Sequence, residues 1–251
     1  MRRLLLLVPF FLLSACSQNS TSLTDFAALP DETGQENPDQ NLITPDVLAR
    51  GLKVQSLGWR EPSYTKKETA AILKQYDHLD PSKEVPTGVL TKAILFFHAN
   101  RDLIPNKTYL TAVDFSRHSR RARLFLINME DGSVLSLHTS HGKGSDTNND
   151  GYAERFGNTP ESGKTSLGFY LTAETYQGKN GYSLRLDGLS KSNSNVRSRA
   201  VVMHTGDYVV EQPVKQGRSL GCLVIAREYH EQIIDLVKEG SLIYVGRSEY
   251  D

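Results

Sequence analysis

The chain has 251 residues, which is enough for one sizeable domain with additional segments or for two small domains. Its 29 Lys and Arg residues balance its 29 Asp and Glu residues, so the formal net charge is zero. This balance argues against the strongly basic surface on which nucleic-acid binding depends, and we expect no nucleic-acid partner.

The first residues of the chain have the order of an export signal. Two arginines precede an apolar run over residues 4–13, and small residues follow it. This run is too short to cross a bilayer, which takes about 20 apolar residues. We therefore predict a signal peptide over residues 1–15 rather than a membrane-spanning helix.

Residues 13–16 read Leu-Ser-Ala-Cys and resemble the bacterial lipobox, in which the cysteine is acylated and becomes the new N-terminus. The alternative is an ordinary signal peptide that happens to contain a cysteine. A multiply acylated Cys16 would hold the protein firmly on a membrane. Because Ser17 and not aspartate follows the cysteine, the resemblance implies a lipid-anchored protein of the bacterial outer membrane that faces the periplasm.

The chain then changes from a polar segment to a helical pattern. Residues 16–40 are rich in Ser, Thr, Asn, Asp, Gln and Pro and have few apolar anchors, so we expect a disordered tether. Residues 41–107 form a predicted helical N-terminal region, with helices over 65–76 and 88–100. Thr87 is the expected N-cap of the second of these helices.

Residues 108–251 have the pattern of a β domain. Short β-branched or aromatic runs alternate with Gly, Asn, Asp and Ser, and the turn at Met129–Gly132 is typical of a hairpin. The spacing also predicts a helix over 227–238 that ends before Gly240. The predicted fold is mainly β with a small helical N-terminal region, and α+β overall. The predicted strands cover residues 123–128, 133–139, 166–172, 182–186, 200–204, 223–226 and 241–246.

Two cysteines are present, and acylation of Cys16 leaves Cys222 without a partner. In an oxidising periplasm a lone thiol is a buried small hydrophobic group, an intermolecular link or a nucleophile. The number of cysteines alone leaves all three roles open, so the neighbouring residues decide between them.

His204 and Cys222 each lie at the predicted boundary of a strand, where a sheet presents side chains to a cleft. A cysteine reacts as its thiolate, and a nearby imidazole accepts its proton or forms an ion pair with it. We therefore expect His204 to lower the pKa of Cys222 below the value of about 8.5 for a free thiol. Gly221 permits a close approach of substrate, and the N–H groups of Gly221 and Cys222 are candidate oxyanion donors.

The order of these residues resembles that of a known family. His204 is followed by fourteen residues and then by Ser-Leu-Gly-Cys at 219–222, which is similar to the signature of the YkuD-type L,D-transpeptidase catalytic domain. The resemblance covers about residues 76–246 and implies a YkuD-like β-sandwich or barrel. Four further segments are similar to a murein L,D-transpeptidase subfamily in the same order, at residues 140–145, 157–170, 181–189 and 199–204.

The resemblance implies a cysteine L,D-transpeptidase that acts on the stem peptides of peptidoglycan and needs no cofactor. Cys222 would attack a stem carbonyl as the nucleophile, and His204 would take the thiol proton and return it to the leaving amine. Ser219 would help to orient the site, and Arg218 would hold a stem carboxylate. The thioester would pass to the amine of a second stem, which gives a 3→3 cross-link, or to an amine of another envelope protein.

Two other functions stay open. Water in place of the acceptor amine would make the same site a carboxypeptidase or a hydrolase of protein–peptidoglycan links. A non-catalytic wall-binding lipoprotein is an alternative of a different class, although the complete pair of Cys222 and His204 favours an enzyme. The chain also departs from the family at two positions, because Leu220 stands where many members have histidine and Leu223 where the subfamily usually has proline.

Further residues have less specific patterns. His141 is expected either to line the cleft and bind substrate or to be hydrogen-bonded within the structure, and Tyr170 is a candidate substrate-binding residue. Asp146, Asn148 and Asp150 place oxygen ligands at alternate positions before a glycine, as in the first half of a calcium loop. A polar turn is the simpler interpretation, because the bidentate glutamate of an EF-hand is missing at the twelfth position.

Overall fold

The computed structural model describes residues 29–34 and 37–248, which form a sheet of eight strands with four α-helices and three short 3-10 helices. The strands are β1 (Tyr109–Asp114), β2 (Leu124–Asn128), β3 (Val134–Leu137), β4 (Gly168–Gly178), β5 (Gly181–Gly188), β6 (Val202–Thr205), β7 (Leu223–Ile225) and β8 (Leu242–Gly246). The α-helices are α1 (Pro45–Gln55), α2 (Lys66–Lys74), α3 (Thr87–Ala99) and α4 (His230–Val237). The 3-10 helices are Gln40–Leu42, Lys143–Ser145 and Lys191–Asn193.

The sheet has the order β3-β2-β1-β8-β4-β5-β6-β7 and nearly closes into a barrel. Strands β1 and β8 are parallel, as are β6 and β7, and the other neighbours are antiparallel. The chain after β3 and the chain before β7 meet at a backbone bridge between Gly142 and Ser219. There the N–H of Ser219 donates to the carbonyl oxygen of His141, and the N–H of Lys143 donates to that of Ser219, both at 2.8 Å. This closure lies directly before Cys222.

Apolar side chains fill both faces of the sheet. On one face, Met203 and Leu184 pack with Ile233 of α4 in one buried cluster. On the other face, α3 covers β1 and β8 and α2 packs on α3, and the ring of Phe96 stacks on that of Phe169 with 3.7 Å between centroids. Full burial of each such side chain contributes roughly 1.5–3 kcal/mol, so both faces stabilise the sheet.

Local capping explains where two of the helices begin. The side chain of Thr44 accepts the N–H of Val47, and Pro45 occupies the first helical position of α1. Thr65 and Glu68 form a capping box at the start of α2, in which each side chain accepts the backbone N–H of the other residue.

The predicted fold class, mainly β with helices and α+β overall, is confirmed. The helices predicted over 65–76 and 88–100 are present as α2 and α3, although Thr87 is the first residue of α3 and its N-cap is Pro86. Strand β1 was not predicted, because Thr111 and Asp114 interrupt its apolar pattern. Both residues are fully buried all the same, since β1 lies between β2 and β8.

The N-terminal segment differs from the prediction of a disordered tether over 16–40. Residues 29–34 and 37–40 pack on the domain, where Glu32 and Asp39 are buried to 7% and 3% exposure. The hydrogen bonds that hold them are made by charged and amide side chains, which a composition-based prediction of disorder does not detect. The predicted signal peptide and Cys16 lie outside the described residues.

Candidate active site

His204 and Cys222 lie on neighbouring parallel strands and on the same face of the sheet. Residue His204 of β6 pairs with Val224 of β7, and Cys222 comes two residues before Val224. Because side chains alternate along a strand, Cys222 and Val224 point to the face that Val202 and His204 share. Cys222, Val202 and Val224 accordingly belong to one buried cluster. The structure thus brings together the two residues that the sequence singles out.

The imidazole of His204 has one nitrogen engaged and one available. Its Nδ1 lies 2.7 Å from the carbonyl oxygen of Thr205, so Nδ1 carries the proton and donates it to this bond. Its Nε2 is buried and has no hydrogen-bond partner among the described residues. Burial lowers the pKa of His204, which keeps the ring neutral and Nε2 basic.

The thiol of Cys222 is free and only 2% exposed. Its Sγ lies 3.6 Å from Nδ2 of Asn37 and 3.8 Å from the carbonyl oxygen of Ala200. Burial, together with the nearby carboxylate of Glu32, raises the pKa of Cys222 to about 12. The prediction of a lowered thiol pKa is therefore wrong for this conformation, in which both Cys222 and His204 are neutral.

The turn before Cys222 depends on Gly221 and Ser219. Gly221 has φ +117°, and a Cβ at this position would lie 2.7 Å from the carbonyl oxygen of Lys164. The hydroxyl of Ser219 donates to the carbonyl oxygen of Cys222 at 3.0 Å and accepts the N–H of Gly221 at 3.1 Å. Ser219 thus holds the turn, and the N–H of Gly221 is not available to an oxyanion in this conformation.

Arg218 directs its guanidinium group toward an acidic side chain of the N-terminal segment. Its Nη2 lies 2.7 Å from Oδ2 of Asp31, and its Nη1 donates to the carbonyl oxygen of Asp146. Paired with Asp31, the Arg218 guanidinium has its pKa raised. The residue expected to hold a stem carboxylate therefore binds a carboxylate of its own chain.

His141 and Tyr170 are buried and hydrogen-bonded within the domain, and for His141 this is the second of the two predicted roles. His141 is 1% exposed and accepts a hydrogen bond from Arg123 at 2.9 Å, while its other nitrogen donates to Asp146 at 3.1 Å. Burial and the charge of Arg123 lower the pKa of His141 to about 4, so the ring is neutral. Tyr170 is also 1% exposed, and its hydroxyl donates to the carbonyl oxygen of Ser166 inside the core.

Residues 146–150, the weaker candidate for a calcium loop, form a turn held by hydrogen bonds within the chain. The carboxylate of Asp146 is buried and accepts the N–H groups of Asp150 and Gly151 as well as the bond from His141. The amide of Asn148 donates to the carboxylate of Asp150 on the surface. No group of three or more His, Cys, Asp or Glu residues within the described part of the chain is arranged to hold a metal ion.

Three residues at the site were not assigned a role from the sequence. Glu32 and Asn37 come from the segment predicted as disordered, and nothing in its composition indicates that it reaches the site. Arg199 is buried and donates to the carbonyl oxygens of Gly157 and Lys164, which ties the 157–166 segment to the turn before Cys222. In the sequence, the only indication of a role for Arg199 is that it lies within residues 199–204, one of the segments that resemble the family.

The site combines a buried thiol with an imidazole on the neighbouring strand that has a free basic nitrogen. This combination is typical of enzymes that use a cysteine nucleophile. The family model of the L,D-transpeptidase catalytic domain matches residues 81–245. The chain therefore belongs to the L,D-transpeptidase catalytic domain family. No curated protein matches the chain.

Several solved structures are similar to parts of the chain. An L,D-transpeptidase from Mycobacterium smegmatis is 15% identical with a TM-score of 0.35, and the match covers 55% of this chain and 58% of that one. L,D-transpeptidase 1 from Mycobacterium tuberculosis is 16% identical with a TM-score of 0.32, over 55% and 62% of the two chains. An L,D-transpeptidase from Xylanimonas cellulosilytica is 14% identical with a TM-score of 0.32, over 86% and 98%. The chain thus spans less than two thirds of the length of the two mycobacterial proteins.

Proposed function

We propose that this protein is a peptidoglycan L,D-transpeptidase with Cys222 as nucleophile and His204 as general base and acid. The observation that carries this proposal is the buried, unpartnered Nε2 of His204 on the same face of the sheet as the thiol. A basic nitrogen in this position accepts the proton that a neutral thiol must lose before it attacks. Membership of the L,D-transpeptidase family supplies the substrate class, which is the stem peptide of peptidoglycan.

The proposed reaction has two halves. In the first, Nε2 of His204 takes the thiol proton, Cys222 Sγ attacks a stem carbonyl carbon, and the carbon–nitrogen bond breaks as the proton passes to the leaving amine. In the second, an acceptor amine attacks the thioester carbon, His204 takes the amine proton, the carbon–sulfur bond breaks, and the proton passes from His204 to Sγ to restore the thiol. The bond from Nδ1 to the carbonyl oxygen of Thr205 holds the ring in place and stabilises the imidazolium that forms in both halves.

The test is muropeptide analysis of isolated sacculi treated with the purified protein in water enriched in ¹⁸O. Transfer to a stem amine gives 3→3 cross-linked dimers without ¹⁸O, and hydrolysis gives shortened stems that contain ¹⁸O. Cys222→Ala protein is the control and should leave the sacculi unchanged. A change in muropeptides with the Cys222→Ala protein would contradict the mechanism. No change with either the wild-type protein or a variant with Asp31→Ala, Glu32→Ala and Asn37→Ala would instead favour a wall-binding protein without catalytic activity.

A carbapenem gives a second and independent readout of the same nucleophile. The family resemblance implies that the thiolate of Cys222 opens the β-lactam ring and remains acylated. Intact-mass analysis should then show one drug adduct on the wild-type protein and none on the Cys222→Ala protein. An adduct on a peptide without Cys222 would contradict the assignment of the nucleophile.

We further propose that a lipid on Cys16 anchors the protein to the outer membrane, facing the periplasm. The support is the Leu-Ser-Ala-Cys sequence at residues 13–16 and the serine after it. None of the described helices is long and apolar enough to cross a membrane. Labelled palmitate should mark the wild-type protein and not a Cys16→Ala variant, and membrane fractionation should place the label in the outer membrane. An unlabelled wild-type protein would contradict the anchor.

A further inference from the structure

A short acidic segment of the chain lies across the candidate active site. We define the strap as residues 30–34 and 37–39, which come before α1 and pack against the turn that carries Cys222. The N–H of Glu32 donates to the carbonyl oxygen of Arg218 at 2.9 Å, and the N–H of Leu220 donates to Oε2 of Glu32 at 3.0 Å. Backbone and side chain of the same strap residue are thus both bound at positions 218–220.

The other contacts of the strap are made by its carboxylates and by one of its backbone carbonyl oxygens. The ammonium of Lys143 donates to the carbonyl oxygen of Glu32, and Asp31 pairs with Arg218. Farther along, Oδ2 of Asp39 accepts the hydroxyl of Tyr176 at 2.6 Å. These contacts bury the side chains of Glu32 and Asp39 almost completely. Asp and Glu side chains are rarely buried to this extent unless they are paired.

The domain leaves space for the backbone of the strap. A Cβ on Gly217 would lie 2.0 Å from the carbonyl oxygen of Pro30, so only glycine permits this approach. The strap also lines a cavity on each side. One has a volume of about 200 Å³ and includes Asn37 and Arg199, and the other has about 450 Å³ and includes Glu32 and Tyr208. The strap therefore lies in a depression that extends beyond it.

The strap is held by the same kinds of interaction that bind an acidic peptide to a protein. One backbone N–H is paired as in a strand, one carboxylate lies on a guanidinium group, and a second lies on a backbone N–H. At the same time the amide of Asn37 contacts Sγ of Cys222 and covers the thiol. A ligand bound in this position excludes any other peptide from the thiol.

We propose that the strap is an autoinhibitory segment that occupies an acidic-peptide groove at the active site and must leave before Cys222 reacts. This inference rests on the proposed function for the identity of the competing ligand, which is the acidic stem peptide. The covering of the thiol does not rest on it, because the contacts of Glu32 and Asn37 are independent of the reaction. The strap follows the proposed lipid tether, so the same segment links anchoring to closure of the site.

The experiment measures the rate at which iodoacetamide alkylates Cys222 in the full chain, followed by mass spectrometry of the peptide that contains it. The strap variant carries Asp31→Ala, Glu32→Ala and Asn37→Ala. Its alkylation at pH 7.5 should be at least tenfold faster than that of the wild-type protein. The control variant carries Asp46→Ala and Asp77→Ala, which remove two exposed carboxylates from α1 and the segment after α2, and it should match the wild-type rate. Equal rates for the wild-type protein and the strap variant would overturn the proposal.

Two further measurements separate strap release from damage to the fold. Asp31→Asn keeps the shape of the side chain while removing the charge that pairs with Arg218, and it should raise the alkylation rate at least threefold with an unchanged melting curve. A synthetic peptide with the sequence of residues 29–40 should restore protection to the strap variant, and a scrambled peptide should not. Equal protection by both peptides, or by neither, would also overturn the proposal.

The alkylation readout does not require catalysis, so the two proposals fail separately. If the strap proposal alone is wrong, alkylation is the same in both proteins while both remodel sacculi. If the proposed function alone is wrong, the strap variant is alkylated faster and neither protein changes the muropeptides.

Discussion

Nδ1 of His204 donates to the carbonyl oxygen of Thr205 at 2.7 Å, and this bond fixes the chemistry of the other ring nitrogen. With the proton on Nδ1, the lone pair of the neutral ring lies on Nε2. A backbone carbonyl oxygen thus orients the base, a role that a carboxylate plays in many other enzymes. Strand β6 therefore supplies both the base, which is the side chain of His204, and the main-chain oxygen of Thr205 that positions it.

Replacement of His204 by alanine should lower the rate of stem-peptide transfer by about 10²–10⁴-fold, because the thiol loses its proton acceptor. The rate is measured with purified protein and isolated sacculi, and the melting curve is recorded for each variant. His78→Gln is the matched control, since His78 is exposed and its ring lies 3.2 Å from the carbonyl oxygen of Met129 at the β2–β3 turn. A His204→Ala protein that keeps more than a tenth of the wild-type rate would contradict the role of the base.

The thiol of Cys222 should titrate far above the ordinary range in the wild-type protein. Burial and the charge of Glu32 outweigh the opposing charge of Arg199 and raise its pKa to about 12. Because the thiolate fraction rises tenfold per pH unit below the pKa, the alkylation rate should climb about tenfold per unit from pH 7 to pH 10. An ordinary thiol, with a pKa of about 8.5, would reach a plateau by roughly pH 9.5. A plateau in the wild-type protein at or below pH 9 would contradict this prediction.

The buried pair of Asp146 and His141 should contribute to stability rather than to catalysis. Asp146→Ala removes a hydrogen-bond partner from His141 and from the N–H groups of Asp150 and Gly151. Leaving such buried groups unpaired should lower the free energy of unfolding by about 2–4 kcal/mol. Urea unfolding measures this loss, and Asp131→Ala in the exposed β2–β3 turn is the control with an expected loss below about 1 kcal/mol.

The contribution of Asp146 should disappear in acid. Hydrogen bonds from His141 and from two backbone N–H groups outweigh the opposing effect of burial and lower the pKa of this carboxyl to about 2. A carboxylate with a lowered pKa stabilises the fold above its ordinary pKa of about 3.8, and the effect is lost as the pH falls toward 2. The difference in unfolding free energy between the wild-type protein and Asp146→Ala should therefore be constant above pH 5 and shrink below pH 4. A difference that does not change down to pH 2 would contradict the assigned pair.

Much of the fold was predictable because its strands and helices have strong local patterns. The pattern of α3 is strong because Val89, Ala93 and Phe97 repeat at helical spacing and are all buried. Strand β1 could not be recognised in the same way, since its buried positions include the polar residues Thr111 and Asp114. The side chain of Asp114, for example, accepts hydrogen bonds from Ser116 and Ser248.

The candidate site was predictable only in part, for a related reason. His204 and Cys222 have a chemistry and a spacing that are visible in the sequence. The protonation states are not, because they depend on burial and on Glu32, which is 190 residues away from Cys222 along the chain. Two roles stayed open for His141, and Tyr170 was a candidate substrate-binding residue, because a motif does not indicate whether its side chains face the cleft or the core, where both are buried.

A comparison of alanine variants at Gly221 and Gly58 separates the cost of backbone strain from the cost of steric contact. Gly221 has φ +117°, and an added Cβ would lie 2.7 Å from the backbone oxygen of Lys164. Gly58 also has a positive φ, +77°, but an added Cβ there meets nothing within 4 Å. The Gly58→Ala variant should therefore lose only the backbone cost of about 1–2 kcal/mol.

Gly221→Ala should lose more stability than Gly58→Ala, because the turn or the segment around Lys164 must move to relieve the contact. The same movement displaces Cys222, and a shift of about 1 Å at a reacting atom lowers activity roughly 10²-fold. We therefore expect Gly221→Ala to reduce stem-peptide transfer about 100-fold, while Gly58→Ala keeps the wild-type rate. Urea unfolding and sacculus assays on the two variants measure both effects. Equal activity of Gly221→Ala and the wild-type protein would show that the position of Cys222 does not depend on this turn.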